Sequence, residues 1–287
     1  FIILMSYDKI TVVINTFNSE DKIHQCLNSI PSETRIIVIE NSNNSSFKKK
    51  LEKNYSNVQC ILTGDNLGYA KGNNLGLSKV TSKFALVLNP DAILENNTID
   101  QFLITAKNFT DFSIIGPAKQ NEHIDFDDNK EKSQVFQVDK LKGFALFLNL
   151  EKFKNIGFFD ENFFIYLEEI DLCKRLKNNN KKIYLDKKVI VHHIGGSSHN
   201  EKINFEMELS RNWHWMWSLF YFNRKHHGYI YALGSVSKKF LSSLVKIFLY
   251  SLIFNSHKKQ IYLQRFSGLF NSIVGNKSWY RPKINNN

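Results

Sequence analysis

The chain is poor in proline, with four in 287 residues, and in cysteine, with three. So few prolines leave few breaks for long flexible linkers. Cys26, Cys60 and Cys173 stand far apart with no C-x-x-C pair, which excludes a disulfide-stapled miniprotein and points to buried reduced thiols rather than a metal or redox centre. Neither G-x-x-x-x-G-K-[ST] nor a G-x-G-x-x-G after the first apolar run is present, so P-loop and Rossmann chemistry are disfavoured. The apolar start FIILM has no basic flank and no A-x-A site, so it does not read as a signal peptide, and Met5 is the expected start. The most informative absence is of acid. From Leu209 to Asn287 there are twelve Lys and Arg and no Asp or Glu, so the formal net charge of +11 belongs to this tail and the body before it is near neutral. A basic tail of this kind wants a polyanion, either nucleic acid or the anionic lipid of a cytoplasmic leaflet.

At 43% hydrophobic and 14% aromatic, the chain can bury a large core. The body alternates short β-branched runs with helix-like stretches. Ile10–Ile14, Arg35–Ile39, Val58–Leu62 and Phe84–Leu88 read as strands, with helices predicted over Glu20–Ile30, Phe47–Tyr55 and Tyr69–Ser78. Strands apolar on both faces, separated by helices, predict an α/β fold with a mostly parallel sheet. After Gly116 the rhythm breaks. Asn121–Ser133 is polar and acidic and reads as a surface loop, followed by strands at Val135–Val138, Gly143–Leu148, Lys182–Leu185 and Val189–His193 and a helix over Tyr166–Lys177. From Glu201 onward everything reads as helix.

The tail is amphiphilic as well as basic. Trp213–Phe222 is apolar nearly all round a helix, so it must be buried in protein or in lipid. The Phe240–Phe254 run, interrupted by Lys246, would extend roughly 22 Å as a helix, short of the ~30 Å hydrocarbon layer. It reads as lying in the membrane interface, with a spanning or a packed helix as the alternatives. The aromatics form continuous apolar stretches and no recognition module is visible, which suits lipid better than nucleic acid.

Parallel sheets bind ligands beyond the carboxyl ends of their strands. Those exits carry Asn15-Thr-Phe-Asn18, Glu40-Asn-Ser-Asn43 and Asn89-Pro-Asp-Ala92. Gly68, Gly72 and Gly76 fall on one helix face and permit close backbone approach, either to a strand or to a nucleotide. Glu168-Glu-Ile-Asp171 opens a helix. It either complements the helix dipole or supplies a general base, since aromatic residues crowd just upstream and apolar surroundings raise a carboxyl pKa. On that helix Glu168, Asp171 and Arg175 share a face and Glu169 lies to one side. Of the adjacent His192 and His193 on a strand, at most one faces a given site, where with Asp91 it would complete an oxygen/nitrogen set for Mn²⁺ or Mg²⁺.

Taken in order, TVVINTFNSE, IIVIENSNNSS, NLGYAKGNNLGL, ALVLNPDA, KGFALFL, GFFDENFFIYLEEIDLCKRL and VHHIGGSS resemble the family 2 glycosyltransferases, in particular their bacterial rhamnosyltransferase-like branch. The resemblance implies a GT-A fold over residues 1–200, with a nucleotide half at about 8–116 and an acceptor half at about 117–200, and a helical C-terminal extension over 201–287. It implies that Thr16, Asn18, Glu40, Asn66 and Lys71 line the nucleotide pocket, and that Asn89 and Gly143 also touch substrate. Asp91 and His193 would hold a divalent metal, Mn²⁺ or Mg²⁺. Glu169 would be the catalytic base, and Glu168 and Asp171 would orient the acceptor. Two positions depart from the family pattern: Asn89 stands where an acid is usual, leaving the metal one carboxylate fewer, and Glu169 is one methylene longer than the frequent Asp. The implied activity is inverting transfer of a sugar, rhamnose first, from a dTDP- or UDP-sugar to a lipid-linked or growing saccharide of the cell surface. The expected location is the cytoplasm, peripherally on the inner face of the membrane. The alternative is a non-catalytic nucleotide-sugar-binding protein on a degenerate transferase fold.

Overall fold

Four β-branched runs become the parallel core of one sheet: β1 (Ile10–Thr16), β2 (Arg35–Glu40), β3 (Val58–Leu62) and β4 (Phe84–Leu88), in the spatial order β3-β2-β1-β4. The structure, a computed structural model, describes residues 7–118, 134–193 and 203–282. The start of the chain, the whole of the predicted Asn121–Ser133 loop and the Ile194–Ser198 end of the VHHIGGSS motif lie outside the described residues. Between the strands run α1 (Ile23–Asn28), α2 (Ser45–Asn54) and α3 (Gly68–Leu77). The α2 helix starts where it does because the Asn44 side chain caps it, accepting the Phe47 N–H at 3.0 Å.

The second half of the sheet is mixed. It adds β5 (Ala92–Leu94), β6 (Phe112–Ala118), β7 (Val135–Gln137), β8 (Ala145–Asn149) and β9 (Lys182–His193), with α4 (Thr98–Asn108) before β6 and α5 (Glu168–Asn178) before β9. The order continues β4-β8-β6-β9-β5, with β7 on β9; β8 runs antiparallel to both β4 and β6, while β6 and β9 are parallel. The two strands expected at Lys182–Leu185 and Val189–His193 are a single strand with a bulge. The bulge is held by Asp186, fully buried, whose carboxylate accepts from Gln101 Nε2 (3.0 Å), the Thr105 hydroxyl and the Lys188 N–H (2.8 Å). The core centres on Phe147, whose ring meets Phe84, Phe102 and Phe112 with centroids 4.9–5.7 Å apart.

The chain divides into two compact units, one of residues up to 67, 71–159 and 169–200, the other of 68–70, 160–168 and 201–287. The second contains α6 (Asn204–His227), α7 (Tyr229–Leu252) and α8 (Ser256–Ile273). Leu209, Trp213, Met216, Trp217 and Phe220 form the buried stripe of α6, so its apolar surface is largely covered by protein. The backbones of α6 and α8 approach so closely at Gly268 that a Cβ there would lie 2.1 Å from the Trp213 carbonyl oxygen. No helix among the described residues is long and apolar enough to cross a membrane. All three cysteines are buried and unpaired with one another, and burial raises each thiol pKa, Cys60 and Cys173 to about 12.

Candidate functional site

The carboxyl ends of β1 and β2 are joined by side chains. The Asn41 amide donates to Asn15 Oδ1, and Asn41 Oδ1 accepts the Leu67 N–H at 3.1 Å, so one asparagine pair ties two strand exits to the start of α3. Two of the α3 glycines stand close against β1: a Cβ on Gly72 would lie 2.6 Å from the Asn15 amide and one on Gly76 2.4 Å from Val13 Cγ1, whereas one on Gly68 would meet Phe164. Asn15 and Asn41 were not among the expected site residues; their amides in sequence look like ordinary turn asparagines.

Several expected nucleotide contacts shape these exits from within. Glu40 is buried, and its two oxygens accept the Ser42 N–H (2.8 Å) and the Asn44 N–H (2.7 Å), so it folds the β2–α2 turn. Thr16 is buried and its hydroxyl donates to the Ile39 carbonyl at 3.1 Å. Asn18, in the left-handed region at φ 48°, donates its N–H to Ser42 Oγ. Asn66 is half-buried just before α3, and Lys71 is exposed on the first turn of that helix.

The β4 exit brings three expected residues together. His193 Nε2 lies 3.2 Å from Asp91 Oδ1 and 3.2 Å from Asn89 Nδ2. The Asp91 side chain is 5% exposed and that of His193 15%, so the pair is sheltered yet open to a ligand. The β5–β9 register sets this up by pairing Ala92 with His193. Phe144 fixes the imidazole plane, stacking on it at 4.8 Å and 6°, and its carbonyl accepts the Asn89 N–H at 2.9 Å. Gly143, half-buried, leads into this residue. The alternate face of the strand carries His192, which pairs with Glu95 Oε1 at 3.0 Å.

Two ligands side by side on a metal with bonds of about 2.1 Å sit roughly 3 Å apart, so Asp91 and His193 suit a shared divalent cation. Among the described residues no group of three His, Cys, Asp or Glu could hold a metal. The residues therefore fit a cation that takes most of its ligands from phosphate oxygens and water, as Mg²⁺ does at phosphate sites and Mn²⁺ with its similar ligand preference.

Glu169 lies on the first turn of α5. Its Oε2 is shielded from solvent and has no hydrogen-bond partner among the described residues. Burial raises the carboxyl pKa above the usual carboxylate value of 4.5, outweighing the backbone N–H groups of Glu169 and Ile170. The two residues just before α5, Tyr166 and Leu167, both have positive φ, at 75° and 68°. Bulky residues seldom occupy that region and cost of order 1–3 kcal/mol each there, so backbone strain is concentrated next to Glu169. Asp171 is fully buried and holds Arg175 Nε at 2.8 Å; the Arg175 guanidinium in turn binds the carbonyls of Ile156 and Phe158. Through Arg175 it braces the 156–158 turn. Glu168 is likewise buried. One turn beyond Glu169, Cys173 contacts the backbone of Leu141, at the start of the loop that carries Gly143 and Phe144 to His193. A single short loop thus lies against both the acidic helix and the Asp91–His193 pair.

A model of the glycosyl transferase family 2 matches residues 11–173. The chain is 27% identical over 199 residues to the low-salt glycan biosynthesis hexosyltransferase Agl10 of Haloferax volcanii, across 61% of this chain and 64% of that protein, slightly under two thirds of its length. It is 22% identical over 249 residues to the rhamnosyltransferase WbbL of Escherichia coli, across 75% of this chain and 92% of that one. An N-acetylglucosaminyl-diphospho-decaprenol L-rhamnosyltransferase of Mycobacterium tuberculosis is 21% identical over 239 residues, across 67% of this chain and 78% of that one. Among solved structures, the mannosyltransferase PcManGT from Pyrobaculum calidifontis, in complex with GDP-Man and Mn²⁺, aligns with a TM-score of 0.58 at 11% identity, over 92% of this chain and 87% of that one. S. aureus TarS 1-349 aligns with a TM-score of 0.54 at 14% identity, over 95% and 93%. With more than half its length inside the family match and a GT-A fold shared with these structures, the chain belongs to glycosyl transferase family 2 and is similar to rhamnosyl- and hexosyltransferases of glycan synthesis.

Proposed function

We propose that the chain transfers a sugar, rhamnose first, from a dTDP- or UDP-activated donor to a lipid-linked or growing saccharide, inverting the anomeric centre. The observation that carries this reading is the pairing of a sheltered Asp91–His193 couple at the β4 exit with a carboxyl at Glu169 whose pKa is raised by burial. The donor nucleotide lies along the β1, β2 and α3 ends, where Asn18 and Lys71 are accessible and Thr16 and Glu40 set the loop shapes. Asp91 and His193 would hold a divalent cation, which would supply charge neutralisation for the diphosphate leaving group. Asn89 orients His193 and replaces a charge with a neutral amide, so the cation is held more weakly than by two acids.

Glu169 accepts the proton of the acceptor hydroxyl as that oxygen attacks the anomeric carbon from the side opposite the departing diphosphate. A poor nucleophile needs such a base, worth about 10² to 10⁴ in rate, and a carboxyl with a raised pKa is better matched to that task near neutral pH. Asp171 acts through Arg175, keeping the 156–158 turn in place. The enzyme works at the inner membrane face, where lipid-linked acceptors reside, with the basic helices against anionic lipid.

The test is release of nucleoside diphosphate and transfer to acceptor with Mn²⁺ or Mg²⁺ present. Glu169→Gln is expected to lose about 10² to 10⁴ in turnover while still binding donor; full turnover would exclude Glu169 as the base. The substitution of an acid by Asn89 favours a second reading, a nucleotide-sugar binder without turnover. Donor retention with no transfer to any acceptor would select it.

A further inference from the structure

The α7 and α8 helices of the second unit flank a half-open pocket of about 230 Å³ whose lining includes Lys238, Lys239, Ser242, Lys246, Tyr262 and Arg265. Four cations and no acid face it, and neither helix contains an Asp or Glu. Two of the cations converge on one phenol: Lys246 Nζ is 3.0 Å from the Tyr262 hydroxyl and 4.8 Å from its ring, and the Arg265 guanidinium is 5.4 Å from the same ring. Arg265 Nε is shielded from solvent and has no hydrogen-bond partner among the described residues. Like charges gathered round a shielded donor are unfavourable without an anion between them.

A second feature of α7 lies beside this pocket. Lys238, Ser242 and Lys246 recur at i, i+4 and i+8, and Leu241, Leu244, Val245, Phe248 and Leu252 recur at i, i+3, i+4, i+7 and i+11 on an adjoining stripe. Leu241 and Phe248 are each 64% exposed, and the stripe continues into Ile253 and Phe254, the latter 91% exposed. A contiguous apolar stripe bordered by cations matches a helix lying in the headgroup boundary of a bilayer, whereas nucleic acid and free phosphate offer nothing for the leucines and phenylalanines to enter.

We infer that the α7–α8 pocket is a phosphate-ester site that takes the headgroup of an anionic phospholipid while the Leu241–Phe248–Leu252 stripe enters the acyl boundary. The inference rests on the membrane-surface part of the proposed function and is independent of the transfer chemistry. Arg265 and Lys246 grip the phosphate oxygens, Tyr262 and Ser242 donate hydroxyls, and Lys238 and Lys239 face neighbouring headgroups.

The experiment is co-sedimentation of the full chain with vesicles of phosphatidylcholine alone or with a third of phosphatidylglycerol, alongside donor turnover with a water-soluble acceptor. Wild type is expected to prefer the phosphatidylglycerol vesicles. The double variant Lys246→Gln/Arg265→Gln is expected to lose roughly 10- to 30-fold of that binding, at about three- to fivefold per cation. Its residual binding to phosphatidylcholine and its turnover in solution stay unchanged, and Lys246→Arg/Arg265→Lys restores the preference. Leu241→Ser/Phe248→Ser is expected to weaken binding to both vesicles. Unchanged phosphatidylglycerol binding by the double glutamine variant overturns the pocket while leaving membrane association standing. Displacement of the chain from vesicles by millimolar inorganic phosphate, or equal competition by a single-stranded oligonucleotide, overturns the lipid as occupant. Absence of binding to either vesicle overturns the pocket and the membrane reading together, whereas loss of turnover alone bears only on the transferase.

Discussion

The raised pKa of Glu169 carries a cost in stability. Because the folded state holds its carboxyl protonated to a higher pH than the unfolded chain does, folding binds a proton between the ordinary value of 4.5 and the raised one, and stability falls as pH rises through that window. Glu169→Gln removes the cost of ionising a shielded group. The variant is expected to melt at a higher temperature than wild type at pH 8 and at the same temperature at pH 4, where the glutamate is protonated in both states; thermal unfolding at the two pH values reads this directly. The Asp91–His193 pair makes a different prediction. If it grips the cation, Asp91→Asn should raise the Mn²⁺ needed for half-maximal turnover by roughly tenfold or more, with little change in melting temperature in metal-free buffer. Identical metal titrations of wild type and variant would remove Asp91 from the ligand set.

At the scale of elements, α3 fits closely on β1, because Gly72 and Gly76 stand where the strand leaves no room. Gly76→Ala would force a methyl to within 2.4 Å of Val13 Cγ1, and overpacking of this kind costs about 1–3 kcal/mol. A lowered denaturation midpoint with an unchanged slope is the expected result. Phe147→Ala, in the ring cluster on β8, is expected to cost more, about 3–5 kcal/mol. The first four strands were readable because each is a β-branched run covered on both faces. The sequence did not announce β5, α4 or β6: Ala92–Leu94 is three residues long, and Thr98–Asn108 mixes Thr and Ile into a helix fixed by tertiary packing. The Asp186-Lys-Lys interruption of β9 looked like a turn because nothing local shows that its aspartate is buried against α4. The site shows the same division. Asp91 and His193 were legible as types of ligand, yet their meeting depends on a strand register about a hundred residues away, and the strained Tyr166–Leu167 backbone leaves no compositional trace.

At the scale of the molecule, the helical unit carries a pH sensitivity opposite in sign to that of Glu169. His214 is buried in α6 between the Tyr280 carbonyl (2.9 Å) and Ser278 Oγ (3.0 Å), and burial lowers its pKa from 6.5 to about 3. The unfolded chain takes up a proton that the folded one refuses, so stability present above pH 6.5 is lost progressively toward pH 3, by up to roughly 4 kcal/mol. Tryptophan fluorescence should report this, since Trp213 and Trp279 pack around the same histidine and Tyr280, and His214→Gln should flatten the acid limb. The second unit is also stitched from three separate stretches of chain. Phe163 packs on Tyr221 and Phe164 on His214, with Arg281 3.9 Å above the Phe164 ring, although the two phenylalanines precede most of the unit by some forty residues. A chimera joined at residue 200 would therefore orphan these rings, so grafting this helical tail between relatives requires residues 68–70 and 160–168 to travel with it.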